Sequence, residues 1–477
     1  HKVRFTPDLL YYLYRRRNNR RNKMDPRPYQ RDGLDSLLNT TAPLMRAVVP
    51  TGGGKTLIES LFLNKQLSFS GSKIHLVLAP RIALINQLIK DYRDIAGQGY
   101  VALAFHSGKD ERDYHQIKWQ EFSTTSREKV EEEQERARTL GKDLVIFSTY
   151  HSMAKLIDID FNIIIADESQ YLVAENYFET WQKLKGEKKL CFTATERHTT
   201  SENGRGLNNE AVFGKCVFQV TPKELIDGGW IVPPRLHIMY GKTEDSIKTL
   251  IDEVINLAKY QDQVTRETMP ASKILFAMKG TDDVKKVIEN VKTIKAEMPN
   301  HKIFTIVSNA KYGSMVDGVK TARGNFMKEL RECDNALIFH YDILSEGIDI
   351  DGITGVAVLR NMVKSKLIQT IGRALRIYKA NPSSKPYAIV SVPVLNNNDE
   401  TRTWVGDIIG QIRDAGFEIG IEEINYTGED GPGIDDDDGL DDAYNFGKKK
   451  KAQKMLEDII HEMELLELRG DLSNMSD

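Results

Sequence analysis

At 477 residues the chain is too long for one ordinary hydrophobic core, and its length suggests about three units. Hydrophobic residues make up 40% and charged residues 28%, the balance of a globular protein, and no apolar run approaches the length of a membrane helix. The formal net charge of −3 excludes a global pull toward nucleic acid and leaves any such binding to local basic patches. Cys191, Cys216 and Cys333 are odd in number, far apart and without metal-ligand spacing. They read as small buried apolar residues of a reduced, intracellular compartment.

A first residue of His1 points to a natural start that was trimmed or replaced. Residues 6–14 combine a threonine N-cap, a proline at the first helical position and an early acid, which predicts a short helix. The arginines and lysine of residues 15–23 follow it as a basic arm, either solvated or contacting phosphate. Arg27-Pro28-Tyr29-Gln30 then reads as a turn entering a helix. A glutamine amide at this point, some way ahead of a phosphate-binding loop, is also suited to the edge of adenine.

That loop is Val48 to Thr56. A short apolar strand runs into Pro50-Thr51-Gly52-Gly53-Gly54-Lys55-Thr56, and helical apolar spacing resumes from Leu57. The glycines let backbone N–H groups curl around a polyphosphate at a helix N-terminus. Lys55 reaches the outer phosphates and Thr56 offers a hydroxyl to Mg²⁺. The usual pattern has glycine where this chain has Val49.

Strands are predicted at Ile74–Leu78, Tyr100–Phe105, Leu144–Phe147, Phe161–Ala166 and Lys189–Phe192, with a helix at Ile82–Tyr92 and exposed charged helices between Ser107 and Lys142. The strand ending at Ala166 delivers Asp167-Glu168-Ser169-Gln170. Alone, such a pair is usually a solvated turn; after a phosphate loop it reads as Asp167 in a Mg²⁺ shell and Glu168 deprotonating water.

From here the residues resemble the superfamily-two helicases and translocases, with Asp-Glu-Ser-Gln as their second motif. Thr193-Ala194-Thr195 is similar to the third motif, which in that family couples hydrolysis to movement. Ala79-Pro80-Arg81 and Ser148-Thr149 are similar to its strand-contacting motifs. Residues 221–234 read as a linker, and Arg235–Met239, Ile274–Ala277, Ile303–Val307, Ala336–His340 and Val356–Leu359 as strands of a second parallel sheet. Ser345-Glu346-Gly347-Ile348-Asp349 resembles the fifth motif, placing Gly347 and Asp349 on the nucleotide. Gln369 to Arg376 resembles the sixth, and spacings of four and three predict Gln369, Arg373 and Arg376 on one helical face.

The resemblance spans roughly residues 24–395 and implies an α/β chain of two RecA-like parallel-sheet domains, 24–232 and 233–395, using ATP and Mg²⁺. A basic arm (1–23) precedes them. An extension (396–477) follows, with an acidic linker that fails as a calcium loop and a terminal helix whose apolar stripe packs internally or against a protein partner. The Gln-Thr-Ile-Gly-Arg-Ala-Leu-Arg and Glu-Gly-Ile-Asp-Ile strings suit the restriction-enzyme motor and phage recombination helicase branches. They favour DNA over RNA, and no membrane association is expected.

Overall fold

Seven strands form the first sheet, most of them buried on both faces: β1 (Leu44–Val48), β2 (Ile74–Ala79), β3 (Tyr100–Phe105), β4 (Asp143–Thr149), β5 (Asp160–Ala166), β6 (Lys185–Thr193) and the exposed edge strand β7 (Lys215–Gln219). The computed structural model describes residues 25–68, 73–96, 99–107, 123–200, 204–240, 250–307, 312–341, 350, 352–378, 381, 384–394 and 399–425. The order is β3-β4-β2-β5-β6-β1-β7, and every pairing is parallel. Parallel strands need crossover connections, which lay helices over both faces and explain why β2, β3 and β4 are buried from end to end.

The helix Ile82–Ala96 shows how the sequence meets that demand. Leu84, Ile85, Leu88, Ile89 and Tyr92 recur at helical spacing and are all buried. The charged stretch expected to be wholly exposed contains a helix, Arg127–Thr139, that turns Val130, Glu133 and Ala137 inward. Its start is fixed by Ser126, whose hydroxyl accepts the Lys129 N–H at 3.3 Å; residues 108–122 lie outside the described residues.

Topology brings the predicted motifs together. β5, β6 and β1 are neighbours, and the register pairs Ala166 with Cys191 and Val48 with Thr193. The segments leaving their carboxyl ends therefore emerge side by side. In the same way Ala79 pairs with Thr149, so the loops after β2 and β4 are adjacent.

The second unit carries nine strands in the order β12-β11-β10-β13-β9-β14-β15-β8-β16. They are β8 (Pro234–Tyr240), β9 (Ser272–Ala277), β10 (Lys302–Ile306), β11 (Ser314–Val316), β12 (Val319–Lys320), β13 (Asn335–His340), β14 (Ile353–Val358), β15 (Ala388–Val394) and β16 (Gly420–Asn425). β10, β11 and β12 pair antiparallel; the other pairings are parallel. The short hairpin turns on Asp317 (φ 48°) and Gly318 (φ 80°), both left-handed as a two-residue hairpin turn requires.

Two boundaries, and the burial of the cysteines, differ from expectation. The compact units divide between Thr221 and Pro222 rather than after residue 232, because the supposed linker folds into a helix, Pro222–Asp227, and a β-bridge from Ile231 to Arg376. The second sheet continues past residue 395: β16 pairs with β8 over six residues from Gly420 to Asn425. Of the cysteines, all free, only Cys191 is buried, its thiol pushed up to about 12 by burial; Cys216 is exposed and Cys333 is half-buried. The basic arm, the acidic segment and the terminal helix lie outside the described residues.

Candidate active site at the carboxyl ends of the first sheet

The loop between β1 and the helix Lys55–Gln66 turns on two left-handed glycines, Gly52 (φ 88°) and Gly54 (φ 75°). Gly54 is the N-cap residue and has no side chain to cap the first turn, which leaves the positive end of the helix to an outside anion. Val49 stands where the usual pattern has glycine; its N–H donates to the Thr193 carbonyl at 2.9 Å, continuing the β1–β6 ladder into the loop.

Lys55 leaves the first helical position and extends between the two acids that follow β5. Its Nζ is 2.7 Å from Asp167 Oδ1 and 2.6 Å from Glu168 Oε1, with only 11% of the side chain exposed. Burial opposes the ammonium charge, but Asp167, Glu168 and Glu59 together outweigh it and raise the Lys55 pKa above the usual lysine range. Burial likewise raises the carboxyl of Asp167, opposed by Lys55 and reinforced by Glu168. Asp167 and Glu168 thus share one ammonium at contact distance. Thr56 follows Lys55 on the first turn of the same helix. Among the described residues no three His, Cys, Asp or Glu side chains form a group that could hold a metal ion.

Glu168 has φ 55° and ψ 48°, a left-handed conformation that costs a non-glycine residue about 1–2 kcal/mol. Such strain persists only where surrounding contacts hold it. Here the Glu168 N–H donates to Asp167 Oδ1 at 2.8 Å, and Tyr150 donates its hydroxyl to the Asp167 carbonyl at 2.5 Å. The Glu168 carboxylate then joins a chain: Gln170 Nε2 donates to Glu168 Oε2 at 2.8 Å, and Thr193 Oγ1 donates to Gln170 Oε1 at 2.7 Å. Thr193 Oγ1 also accepts the Thr195 N–H at 3.1 Å. Phosphate loop, acidic pair and Thr193-Ala194-Thr195 are one hydrogen-bonded network.

Arg27 and Gln30 brace the loop from the other side. Gln30 is 3% exposed; its Oε1 accepts the Arg27 N–H at 2.9 Å and its Nε2 donates to the Gly53 carbonyl at 2.9 Å. Tyr29 donates its hydroxyl to the same carbonyl at 2.5 Å, and Arg27 Nη1 donates to Tyr29 at 3.2 Å. Gln30, expected to read adenine, holds the loop carbonyl together with Tyr29, and Arg27 bonds to both.

Of the residues expected on nucleic acid, Arg81 is exposed and Pro80 is half-buried. Ser148 and Thr149 are buried, with Ser148 Oγ donating to the Thr149 carbonyl at 3.2 Å and Thr149 Oγ1 to Ser152 Oγ at 3.1 Å. In the second unit, Gln369 and Arg373 lie on the helix Lys364–Ala374 and are buried. Arg376 does not share that helix. The helix ends at Ala374 with Leu375 as its cap, and Arg376 sits in the bridge to Ile231, so the expected common helical face covers only the first two. Gly347 and Asp349 lie outside the described residues.

Several participants carried no assigned role in the sequence reading. Gln170 stands inside the acidic motif and Tyr29 beside Gln30. Glu59, fully buried four residues after Lys55, accepts from Tyr92 at 3.3 Å; burial, reinforced by Asp167, raises its pKa well above the carboxylate range. Arg46 interrupts the apolar run of β1, which was its only signal. Its Nη1 donates to the carbonyls of Leu207 at 2.5 Å and Gly214 at 2.7 Å, and its Nε lies 2.5 Å from Glu196, the residue after Thr195.

Residues 23–198 match the family model described as "Type III restriction enzyme, res subunit". No curated protein sequence matches the chain significantly. Among solved structures, the ATP-dependent type ISP restriction-modification enzyme LlaBIII bound to DNA matches with a TM-score of 0.65 at 16% identity, over 85% of this chain and 32% of that one. LlaGI, of the same type, in complex with a DNA substrate mimic gives 0.57 at 17%, over 82% of this chain and 28% of that one. S. cerevisiae Dbp5 bound to RNA and ADP BeF3 gives 0.53 at 15%, over 89% and 95%. The chain thus spans about a third of the restriction enzymes it resembles. Its two parallel-type sheets have the fold of tandem RecA-like units, and residues 23–198 are similar to the family described as the res subunit of type III restriction enzymes.

Proposed function

We propose that the chain is an ATP-driven motor acting on nucleic acid, with DNA preferred over RNA. The observation that carries this reading is the Lys55–Asp167–Glu168 cluster at the phosphate loop, wired through Gln170 to Thr193 and Thr195. In this reading the loop from Thr51 to Gly54 and Lys55 hold the phosphates, while Thr56 and Asp167 hold Mg²⁺, which supplies charge neutralisation on the phosphates when bound. Glu168 orients and deprotonates the attacking water. Arg27 and Gln30 contact adenine, and because Gln30 also braces Gly53, base occupancy reaches the loop directly.

The remaining assignments follow the family resemblance. Gln369, Arg373 and Arg376 stabilise charge on the outer phosphate, Gly347 and Asp349 flank the nucleotide, and Pro80, Arg81, Ser148 and Thr149 follow the backbone of the track. Backbone contacts make movement largely independent of sequence. The relatives bound to DNA and the motif strings support DNA; the RNA-bound relatives make RNA the necessary control. ATP turnover measured with single-stranded, duplex, forked and four-way DNA beside matching RNA tests the reading. Stimulation by DNA above RNA supports it. Turnover indifferent to every nucleic acid overturns it, and stimulation without strand displacement makes the chain a sensor or module of a larger assembly.

A further inference from the structure

Lys385 is 3% exposed, and its ammonium lies among three backbone carbonyls. It donates to Ile353 at 2.7 Å, to Arg376 at 2.9 Å, and to Ala374. Ala374 is the last residue of the helix that bears Gln369 and Arg373. The carbonyl between, that of Leu375, accepts the Val232 N–H at 2.8 Å. Three successive carbonyls at the end of this helix are therefore fixed, two by one buried lysine and one by the segment leading into β8. A helix end normally leaves such carbonyls to water or a cap, and a cation there also complements the negative end of the helix dipole. A lysine has three donors, and Ile353, the third acceptor, is the first residue of β14. The ammonium thus ties the arginine-bearing segment to the sheet.

We propose that Lys385 is a positioning residue for Arg376. The bridge to Ile231 holds the Arg376 backbone on one side and Lys385 holds its carbonyl on the other. The helix no longer constrains Arg376, which lies beyond its end, so these two ties set the direction in which the guanidinium leaves the backbone. The proposal rests on the reading of Arg376 as a charge-stabilising arginine of the ATPase. A planar guanidinium contributes only when its fork is aligned, and a misplacement of about 1 Å can cost on the order of 10² in rate.

The test is a double-mutant cycle on the full chain, reading ATP turnover with saturating forked DNA. Lys385→Met is expected to lower kcat about 10- to 100-fold, with KM for ATP within about twofold because ground-state binding does not need the alignment. Lys385→Gln, which keeps an amide donor, should fall between it and the wild type, and serves if Lys385→Met fails to fold. The variant that folds, combined with Arg376→Ala, should be no slower than Arg376→Ala alone, a non-additivity that a merely structural role does not produce. If the two losses multiply, or the folded lysine variants turn over at the wild-type kcat, the positioning role is wrong while the ATPase reading stands. If Arg376→Ala itself has no effect, the underlying reading fails and the proposal falls with it.

Discussion

Replacing Gly54 by alanine would test the brace between Gln30 and the phosphate loop. Gly54 has φ 75°, and a Cβ built there runs into the Gln30 amide nitrogen. Two costs follow. The left-handed backbone costs a residue with a Cβ about 1–2 kcal/mol. Pushing Gln30 away also removes its 2.9 Å bond to the Gly53 carbonyl and leaves a buried amide unsatisfied, about 1–3 kcal/mol. Together these give about 2–5 kcal/mol, which in a unit of this size lowers Tm by roughly 2–4 °C per kcal/mol. Thermal unfolding followed by circular dichroism, with a fluorescent ATP analogue to follow binding, reads both consequences. In a Gln30→Ala background the collision is gone, so the same Gly54→Ala change should cost only the backbone term of about 1–2 kcal/mol. Equal costs in the two backgrounds would refute the steric argument, and a Gly54→Ala protein with wild-type Tm and ATP affinity would refute the brace altogether.

Glu168→Gln should keep ATP binding and lower turnover by about 10²–10⁴, as loss of a general base does; Lys55→Ala should instead raise the ATP Kd, and isothermal titration separates the two. Arg373→Ala and Arg376→Ala should each cut turnover, by up to about 10³–10⁵ for an arginine of this type, with little change in ATP affinity and poor rescue by lysine. His237 accepts or donates a 2.7 Å bond with Tyr260 and is fully buried; burial lowers its pKa to about 4, opposed by Glu422 and reinforced by Arg235. A lowered folded-state pKa means that its stability contribution is complete above the unfolded value near 6.5 and is lost as pH falls toward 4. Denaturant titrations between pH 7 and 4 should show a loss of order 3 kcal/mol that His237→Gln flattens; an unchanged slope would argue that other groups govern it.

Six of the seven strands of the first sheet were readable because they carry apolar runs; β7 (Lys215–Gln219) was missed, being short and exposed at the edge beside β1. The site residues were readable because phosphate chemistry demands particular types, glycines that tolerate positive φ and a lysine after them. What escaped depends on tertiary partners. Nothing in the run from Gln369 to Arg376 marks a helix end; the helix stops because Leu375 and Arg376 are claimed by Val232, Ile231 and Lys385. β16 carries two glutamates within Gly420–Asn425 and reads as a polar stretch, yet β8 accepts it as an edge strand. Asp317-Gly318 was a legible hairpin signal, but strands of three and two residues gave no alternation to set beside it.

The placement of β1 also sets the timetable by which the protein is made. Residues 44–48 leave the ribosome well before their two sheet neighbours, residues 189–193 and 215–219. At about 5–20 residues per second, β1 waits roughly 10–30 seconds for its second neighbour. During that interval the nascent chain carries an apolar segment with both edges open, and the loop that follows it has no wall against which to take shape. On the proposed reading, ATP arrives too late to rescue early misfolding, because the loop that would bind it is among the last parts of the first unit to close.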